Sequence, residues 1–444
     1  KGGNAVNFIM EMEQVNYYEA LKYLAKKYHI EIVEKELTAQ EIARQNDRES
    51  MLVLNDFAQK TFVTNLHEHI EGKSVGLAYF HERGFRDDII RKFQLGYSLD
   101  QKDAFSKEAL KNGYQKEFLI KTGLSIEGET PIDRFRGRVM FPVHTLSGKV
   151  VAFGGRILKK DDKTAKYLNS PESEIYHKSN ELYGIFFAKQ AIVKQDECFL
   201  VEGYTDVISM HQAGIENVVA SSGTSLTPGQ IRLIHRFTNN VTVIYDGDAA
   251  GIKASIRGID LLLEEGMNIK VLLLPDGEDP DSFARQQNAN DFIAYVEQHK
   301  TDFIRFKTNL LLEEAGKDPM KRTELIKDIV RSIAIIPDTI ARSVYVKECS
   351  SLLKVDESLL HAEINKLKRA KIEKNYVADT PPAVSPLQQY EQARQLADTE
   401  AKGLYEEEEL NILRCVVRYG EYPLVMAPQQ EQGNEATAVT VIDF

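Results

Sequence analysis

Four short apolar runs, each followed by a stretch with helical spacing, constrain this chain more than any other feature. They are Phe199-Leu200-Val201, Val218-Val219-Ala220, Val241-Thr242-Val243-Ile244 and Val271-Leu272-Leu273-Leu274. Strands apolar on both sides need cover on both faces, and alternation with helices makes such a sheet parallel. The intervening segments carry helix signals. The first stops near Gly214. Thr227-Pro228 supplies an N-cap and a first-turn proline. Ile252, Ile256, Ile259 and Leu263 form one stripe that ends at Gly266.

Five acids follow those runs in three clusters: Glu202, then Asp246 and Asp248, then Asp279 and Asp281. Ligands of a parallel sheet bind beyond the carboxyl ends of its strands, where these loops converge. Crowded carboxylates repel one another unless cations sit between them. An all-oxygen set suits Mg²⁺ or Mn²⁺, which can activate a hydroxyl nucleophile and bridge phosphates. Gly203 and Gly247 leave room for close approach. Any one of these acids alone could be a helix cap, and Asp281, before Ser282-Phe283, could act as one in addition. Three clusters at equivalent places favour metal.

The formal net charge is −11 over 444 residues, which excludes a uniformly basic nucleic-acid binder. A local groove is still open, because the position of charge matters more than its sum. Residues 134–168 hold nine Lys or Arg against two acids, a local excess of +7. The β-rich runs Arg138–Val143 and Val150–Phe153 flank the turn at Ser147-Gly148, and predict a basic hairpin. Its candidate DNA- and nucleotide-binding residues are Arg134, Arg136, Arg138, Arg156, Lys166, Tyr167, Asn169 and Lys178. Phe135, Phe141, Tyr167 and Tyr176 could stack on unpaired bases. Core burial of the two phenylalanines is the competing reading.

A chain this long predicts several domains. Residues 50–125 read as mostly helical, with Phe57, Phe62, Leu66 and Ile70 on one stripe and helix ends at Gly84, Gly96 and Gly113. Residues 300–372 read as helical and charged, with Leu310, Leu311, Ile326, Ile329, Val330, Ile333 and Leu352 as core. Residues 374–403, with Pro381-Pro382 and Pro386, read as a linker, and 404–424 as a new acidic helix. Cys198, Cys349 and Cys415 are too scattered for a disulfide framework or a zinc set, which predicts a reducing cytoplasm. No run reaches the length of a membrane helix, so no membrane partner is expected.

Three stretches carry a resemblance. Glu202-Gly203-Tyr204-Thr205-Asp206-Val207, Tyr245-Asp246-Gly247-Asp248-Ala249-Ala250-Gly251 and Leu274-Pro275-Asp276-Gly277-Glu278-Asp279-Pro280-Asp281 resemble the Toprim domain of bacterial DnaG-type primases. Arg134–Pro142, Phe153-Gly154-Gly155-Arg156 and Lys166–Glu172 resemble the basic half of the same family's core. The resemblance implies a mixed α/β chain. Residues 41–195 would form a mixed α+β basic N-terminal subdomain. Residues 196–300 would form a Toprim domain with a central parallel sheet, and 301–373 a helical subdomain. It implies RNA-primer synthesis on single-stranded DNA from NTPs, with metal on Glu202, Asp246, Asp248, Asp279 and Asp281, and Asp206 as an accessory acid. It further implies that 1–40 follows a zinc ribbon that is itself absent, so that zinc belongs only to a domain outside the chain. Residues 404–444 would open a domain that docks on the replicative helicase.

Rival classes lack their marks. A Toprim topoisomerase would need a catalytic Tyr on a large further domain, and nothing in 300–444 resembles one. A nuclease would not need the basic hairpin or the last acidic pair. A non-catalytic adaptor would not need the acids. Gly72-Lys73-Ser74 is no P-loop, because the earlier glycine would fall at His67. That segment predicts a helix end.

Overall fold

The computed structural model describes residues 5–6, 9–10, 17–28, 38–159, 165–223, 226–245, 258–275, 277–287, 289–316, 318–378, 423–424 and 439–440. The chain divides into two compact units, residues 1–365 and 366–444. The second unit holds a two-residue ladder, Pro423–Leu424 with Val439–Thr440. The linker and acidic helix expected at 374–403 and 404–424 otherwise lie outside the described residues, except that 374–378 are helical.

The first unit begins its core with α1, Ala39–Glu68. Thr38 and Glu41 form its capping box, each side chain accepting from the other's backbone N–H. Met51, Leu54, Ala58, Phe62 and Leu66 recur every three or four residues and are buried along one stripe. Beneath it runs β1, Gly96–Ser98, which pairs antiparallel with β2, Arg138–His144. The helix end expected at Gly96 is therefore a strand. A Cβ at Gly96 would stand 2.6 Å from the Cβ of Phe62, so α1 crosses too closely for any side chain. The helix end expected at Gly72 is also corrected, because Gly72–Leu77 winds on as a π-helical turn.

β3, Val150–Ile157, and β4, Tyr167–Asn169, complete a four-stranded antiparallel sheet in the order β1-β2-β3-β4. All seven residues of β2 are buried, so the sheet is covered on both faces. Alternation sorts its side chains. Met140 joins Phe62, Phe105 and Phe153 in the cluster beneath α1, whereas Val139, Phe141 and Val143 join a cluster with Phe80, Tyr183 and Tyr204.

The predicted α/β region forms a five-stranded sheet. Its strands are β5, Cys198–Val201; β6, Val218–Ala220; β7, Asn240–Tyr245; β8, Asn268–Leu273; and β9, Thr301–Asp302. Their order is β9-β8-β7-β5-β6, with β5 to β8 parallel and β9 an antiparallel edge. The covering helices include α2, Tyr204–Gln212; α3, Pro228–His235; and α4, Pro280–Gln286. Thr227 caps α3 by accepting from Gln230 N–H, with Pro228 in the first turn, as the sequence predicts.

Four helices follow: α5, Phe303–Ala315; α6, Pro319–Ile335; α7, Thr339–Leu353; and α8, Glu357–Ala378. Asp302, Asp318 and Asp338 cap the first three by accepting from N–H groups of the opening turn. Ile329, Val330 and Ile333 are buried as expected, while Leu325 and Leu353 take the core places read for Ile326 and Leu352.

Candidate functional site

Glu202 is the first residue beyond β5, and it is exposed. Its backbone carbonyl accepts from Ser222 N–H at 3.1 Å, which ties the loop after β6 to the loop after β5. Its carboxylate lies close to Tyr245, the last residue of β7: burial raises the Tyr245 phenol pKa, and the Glu202 charge raises it further. The ends of β5, β6 and β7 therefore meet at one sheet edge. Asp246 and Asp248, which follow Tyr245 in the chain, lie outside the described residues. Among the described residues, no three acids, histidines or cysteines come together as a metal-holding group.

The other expected acids have defined partners. Asp206 reaches back one helical turn and accepts from Gly203 N–H at 2.9 Å, which fixes the start of α2. Asp279 is the N-cap of α4, accepting from Ser282 N–H at 2.6 Å, and remains exposed. The cap considered for Asp281 thus belongs to Asp279. Asp281 itself is 1% exposed. One of its oxygens accepts from Ser209 Oγ at 2.5 Å, and the other pairs with Arg83 and, at 3.4 Å, with Arg285.

The basic residues separate into buried and open groups. Arg138 is 4% exposed, and its guanidinium donates to the carbonyls of Gly155, Ala165 and Lys166 at 3.1 to 3.3 Å. Burial lowers its pKa. It staples β3 to the segment that enters β4. Phe135, Phe141 and Tyr176 are also buried, so base stacking is ruled out for these three rings by lack of access. Arg136 and Lys166 are exposed. Arg134 and Arg156 are half-buried, and Arg156 stacks over the rings of Tyr79 at 4.7 Å and Tyr167 at 5.8 Å. Lys178 lies against the Gly223 carbonyl at 3.4 Å, and burial lowers its pKa against the opposing charge of Glu172.

Asn169 joins the two sheets. Its amide donates to the Ser222 carbonyl at 3.2 Å and accepts from the Tyr204 hydroxyl at 2.8 Å. Tyr204 stacks on Phe141 with centroids 5.1 Å apart and planes 9° from parallel. A Cβ on Gly154 would stand 2.4 Å from the Tyr204 ring, which explains the glycine. Edge strand β4, bearing Tyr167 and preceded by Lys166, thus abuts the loop bonded to Glu202. Sequence reasoning missed Tyr79 and Arg83. They sit on and just after a short helix, Ala78–Glu82, with only an i,i+4 spacing to mark them.

Comparisons with known proteins agree with this layout. Residues 61–189 match the family model of the N-terminal domain of the DNA primase catalytic core, and residues 199–284 a Toprim-like model. Residues 304–358 match the DnaB-helicase binding domain of primase. Residues 1–40 match the CHC2 zinc finger, which corrects the expectation that the zinc ribbon is absent. Counting ligands could not see it, because residues 1–40 hold no cysteine and only one histidine, His29. The DNA primase of Clostridium acetobutylicum is 37% identical over 81% of this chain and 59% of its own length. The chain spans about three fifths of the length of such relatives. A solved DnaG primase catalytic domain bound to single-stranded DNA has a TM-score of 0.64 and 32% identity, covering 71% of this chain and 99% of that one. The zinc-binding and RNA polymerase domains of the Aquifex aeolicus primase give 0.62 and 29%, covering 81% of this chain and 84% of that one.

Proposed function

This chain belongs to the DnaG-type bacterial primase family, and on that premise we propose that it is a DNA-directed RNA polymerase that copies single-stranded DNA into short RNA primers. The observation that carries the reading is the bridge from Glu202 through Ser222 to Asn169, which sets an open acidic sheet end beside the edge strand of the basic sheet. A polymerase needs both within one nucleotide's reach, because reacting groups must be held together in orientation.

Glu202, Asp246 and Asp248 would hold Mg²⁺ or Mn²⁺, with Asp279 at the rim of the same edge. The donor set fits, being all oxygen and, at Glu202 and Asp279, open to solvent. Bound there, the cations would supply charge to the nucleotide phosphates and to the leaving pyrophosphate. Glu202 would also accept the proton of a 3′-hydroxyl. Arg136 and Lys166, exposed on the basic half, would neutralise template phosphates, and Arg134, Arg156 and Lys178 would contact template or nucleoside triphosphate. Half-buried Tyr167, with Arg156 over its ring, would border the template at this edge. Asn169 orders this edge rather than reading a base. Residues 304–358 are the surface proposed for the replicative helicase, in line with the family model they match. Residues 1–40 match a zinc-finger model, but with no cysteine and one histidine they do not by themselves supply the four ligands zinc needs. No helix among the described residues is long and apolar enough to cross a membrane, and a cytoplasmic replication fork is the proposed location.

Incorporation of labelled NTPs on single-stranded DNA tests the reading. Activity should require Mg²⁺ or Mn²⁺ and should vanish in Glu202→Gln and Asp248→Asn. Wild-type rates in either variant would refute the assignment.

A further inference from the structure

The fifth acid of the expected metal set is spent elsewhere. Asp281 has a side chain 2% exposed, with one oxygen taken by Ser209 Oγ and the other by Arg83 and Arg285. A carboxylate with both oxygens engaged and no path to solvent is a poor ligand for a hydrated cation. Its main partner is more informative. Arg83 lies over the Tyr79 ring at 5.4 Å, and Arg156 over the same ring at 4.7 Å. Arg156 in turn covers Tyr167, in β4. Two guanidinium groups thus share one aromatic ring, and Arg83 is the one ion-paired to Asp281. Among the described residues, the buried Nε and Nη1 of Arg156 and the hydroxyl of Tyr79 have no hydrogen-bond partner. Buried donors without an acceptor are costly, so the stack of Arg156 depends on the groups that hold it in place. The turn that carries Arg83 is pinned at its backbone too: Gln212 donates to the Gly84 carbonyl and accepts from Arg86 N–H, both at 2.9 Å.

We infer that Asp281 is a positioning residue: it fixes Arg83 beside Tyr79 and, through that shared ring, sets the Arg156–Tyr167 stack on the edge of the basic sheet that meets template or nucleotide. This rests on the polymerase reading and alters it at one acid. By holding Arg83, Asp281 sets the height of the Arg156–Tyr167 stack. Loss of the carboxylate would release Arg83, tilt the stack and weaken the hold of this edge on nucleic acid.

The test separates metal binding from phosphate binding in the intact chain. Mn²⁺ binding is followed by the electron paramagnetic resonance of the free ion, and binding of a labelled oligo-dT by anisotropy over a range of salt. Asp281→Asn keeps an acceptor for Ser209 and removes the charge. It should bind Mn²⁺ within twofold of wild type while its oligo-dT affinity falls about tenfold. Arg83→Gln, which covers the case that Asp281→Asn does not fold, should show the same pair of results. Asp248→Asn should do the reverse, losing Mn²⁺ affinity by at least roughly tenfold. If Asp281→Asn loses Mn²⁺ as Asp248→Asn does, Asp281 is a ligand and the positioning role is overturned. If Mn²⁺ and oligo-dT binding are both unchanged in Arg83→Gln, it is overturned as well. If the wild-type chain itself binds no Mn²⁺, the polymerase reading falls and takes this role with it.

Discussion

The two sheets of the first unit use charge in opposite ways. In the parallel sheet, the strands are apolar and the acids stand beyond their ends, so Glu202 is exposed although Val201 before it is buried. In the antiparallel sheet, charge sits within the strands. There Arg138 is buried at the first position of β2 and donates to three carbonyls, whereas Arg136, two residues earlier, is exposed. A charge beyond a strand end can serve a ligand without being part of the packing. A charge inside a doubly covered strand must satisfy the fold first.

The sharpest way to break this contrast is at Glu202. Glu202→Gln should cut NTP incorporation on the order of 1000-fold, about 4 kcal/mol of barrier, while leaving the thermal midpoint within a degree or two. A large loss of stability in that variant would put Glu202 in the packing and erase the distinction. At Arg138 the opposite is expected. Arg138→Met removes a donor from three carbonyls, of which Lys166 still accepts from Ile157 N–H, and should destabilise the chain by about 3 kcal/mol in chemical denaturation. A variant as stable as wild type would show that the staple does not hold β3 to the segment entering β4.

Histidines sharpen the same contrast through pH. His144, at the end of β2, is 4% exposed, donates from Nε2 to Gln94 Oε1 at 2.9 Å and stacks on Phe186. Burial holds its pKa down at about 4, against 6.5 when free. The unfolded chain therefore takes up the proton first, so stability from this site is complete above pH 6.5 and is lost as pH falls toward 4. At pH 5 the loss is about 2 kcal/mol. His211, buried on α2 beside Phe93, is lowered to about 4 for the same reason and adds in the same direction. Denaturation of His144→Gln at pH 7 and pH 5 should show a smaller gap than wild type, and an equal gap would locate the acid sensitivity elsewhere.

What was legible in the sequence follows from these two sheets. The parallel sheet announced itself, because strands covered on both faces are apolar throughout and are punctuated by caps such as Thr227-Pro228. The exposed place of Glu202 could be read because it directly follows a strand. Asp281 could not be separated from Asp279 by the same rule. The two differ only in that Asp279 caps α4 at the surface while Asp281 turns inward to Arg83, a partner 198 residues away in sequence. In the antiparallel sheet the hairpin was legible from its turn and β-rich runs. The fate of each arginine was not, since burial of all seven β2 residues removes the alternation that separates inside from outside. Strand β1 was hidden for a related reason: three residues carry no period, and Gly96 is there for the passage of Phe62 on α1.

The smallest effect is also the most discriminating for the basic sheet. Arg136 is exposed, so replacing it should not disturb folding. If it meets template phosphate, Arg136→Ala should weaken oligo-dT binding by a few-fold and lower the slope of log affinity against log salt by about 1, the release of one counterion. Arg138, three carbonyls deep in the fold, should leave that slope unchanged when replaced by Met and measured at a temperature where the variant is folded. The two residues share a charge, a family resemblance and nearly a position. If both variants lower the slope alike, burial does not divide structural from phosphate-binding arginines here. If only Arg138→Met lowers it, the guanidinium must leave its carbonyls when template binds, and the staple is then part of the binding step.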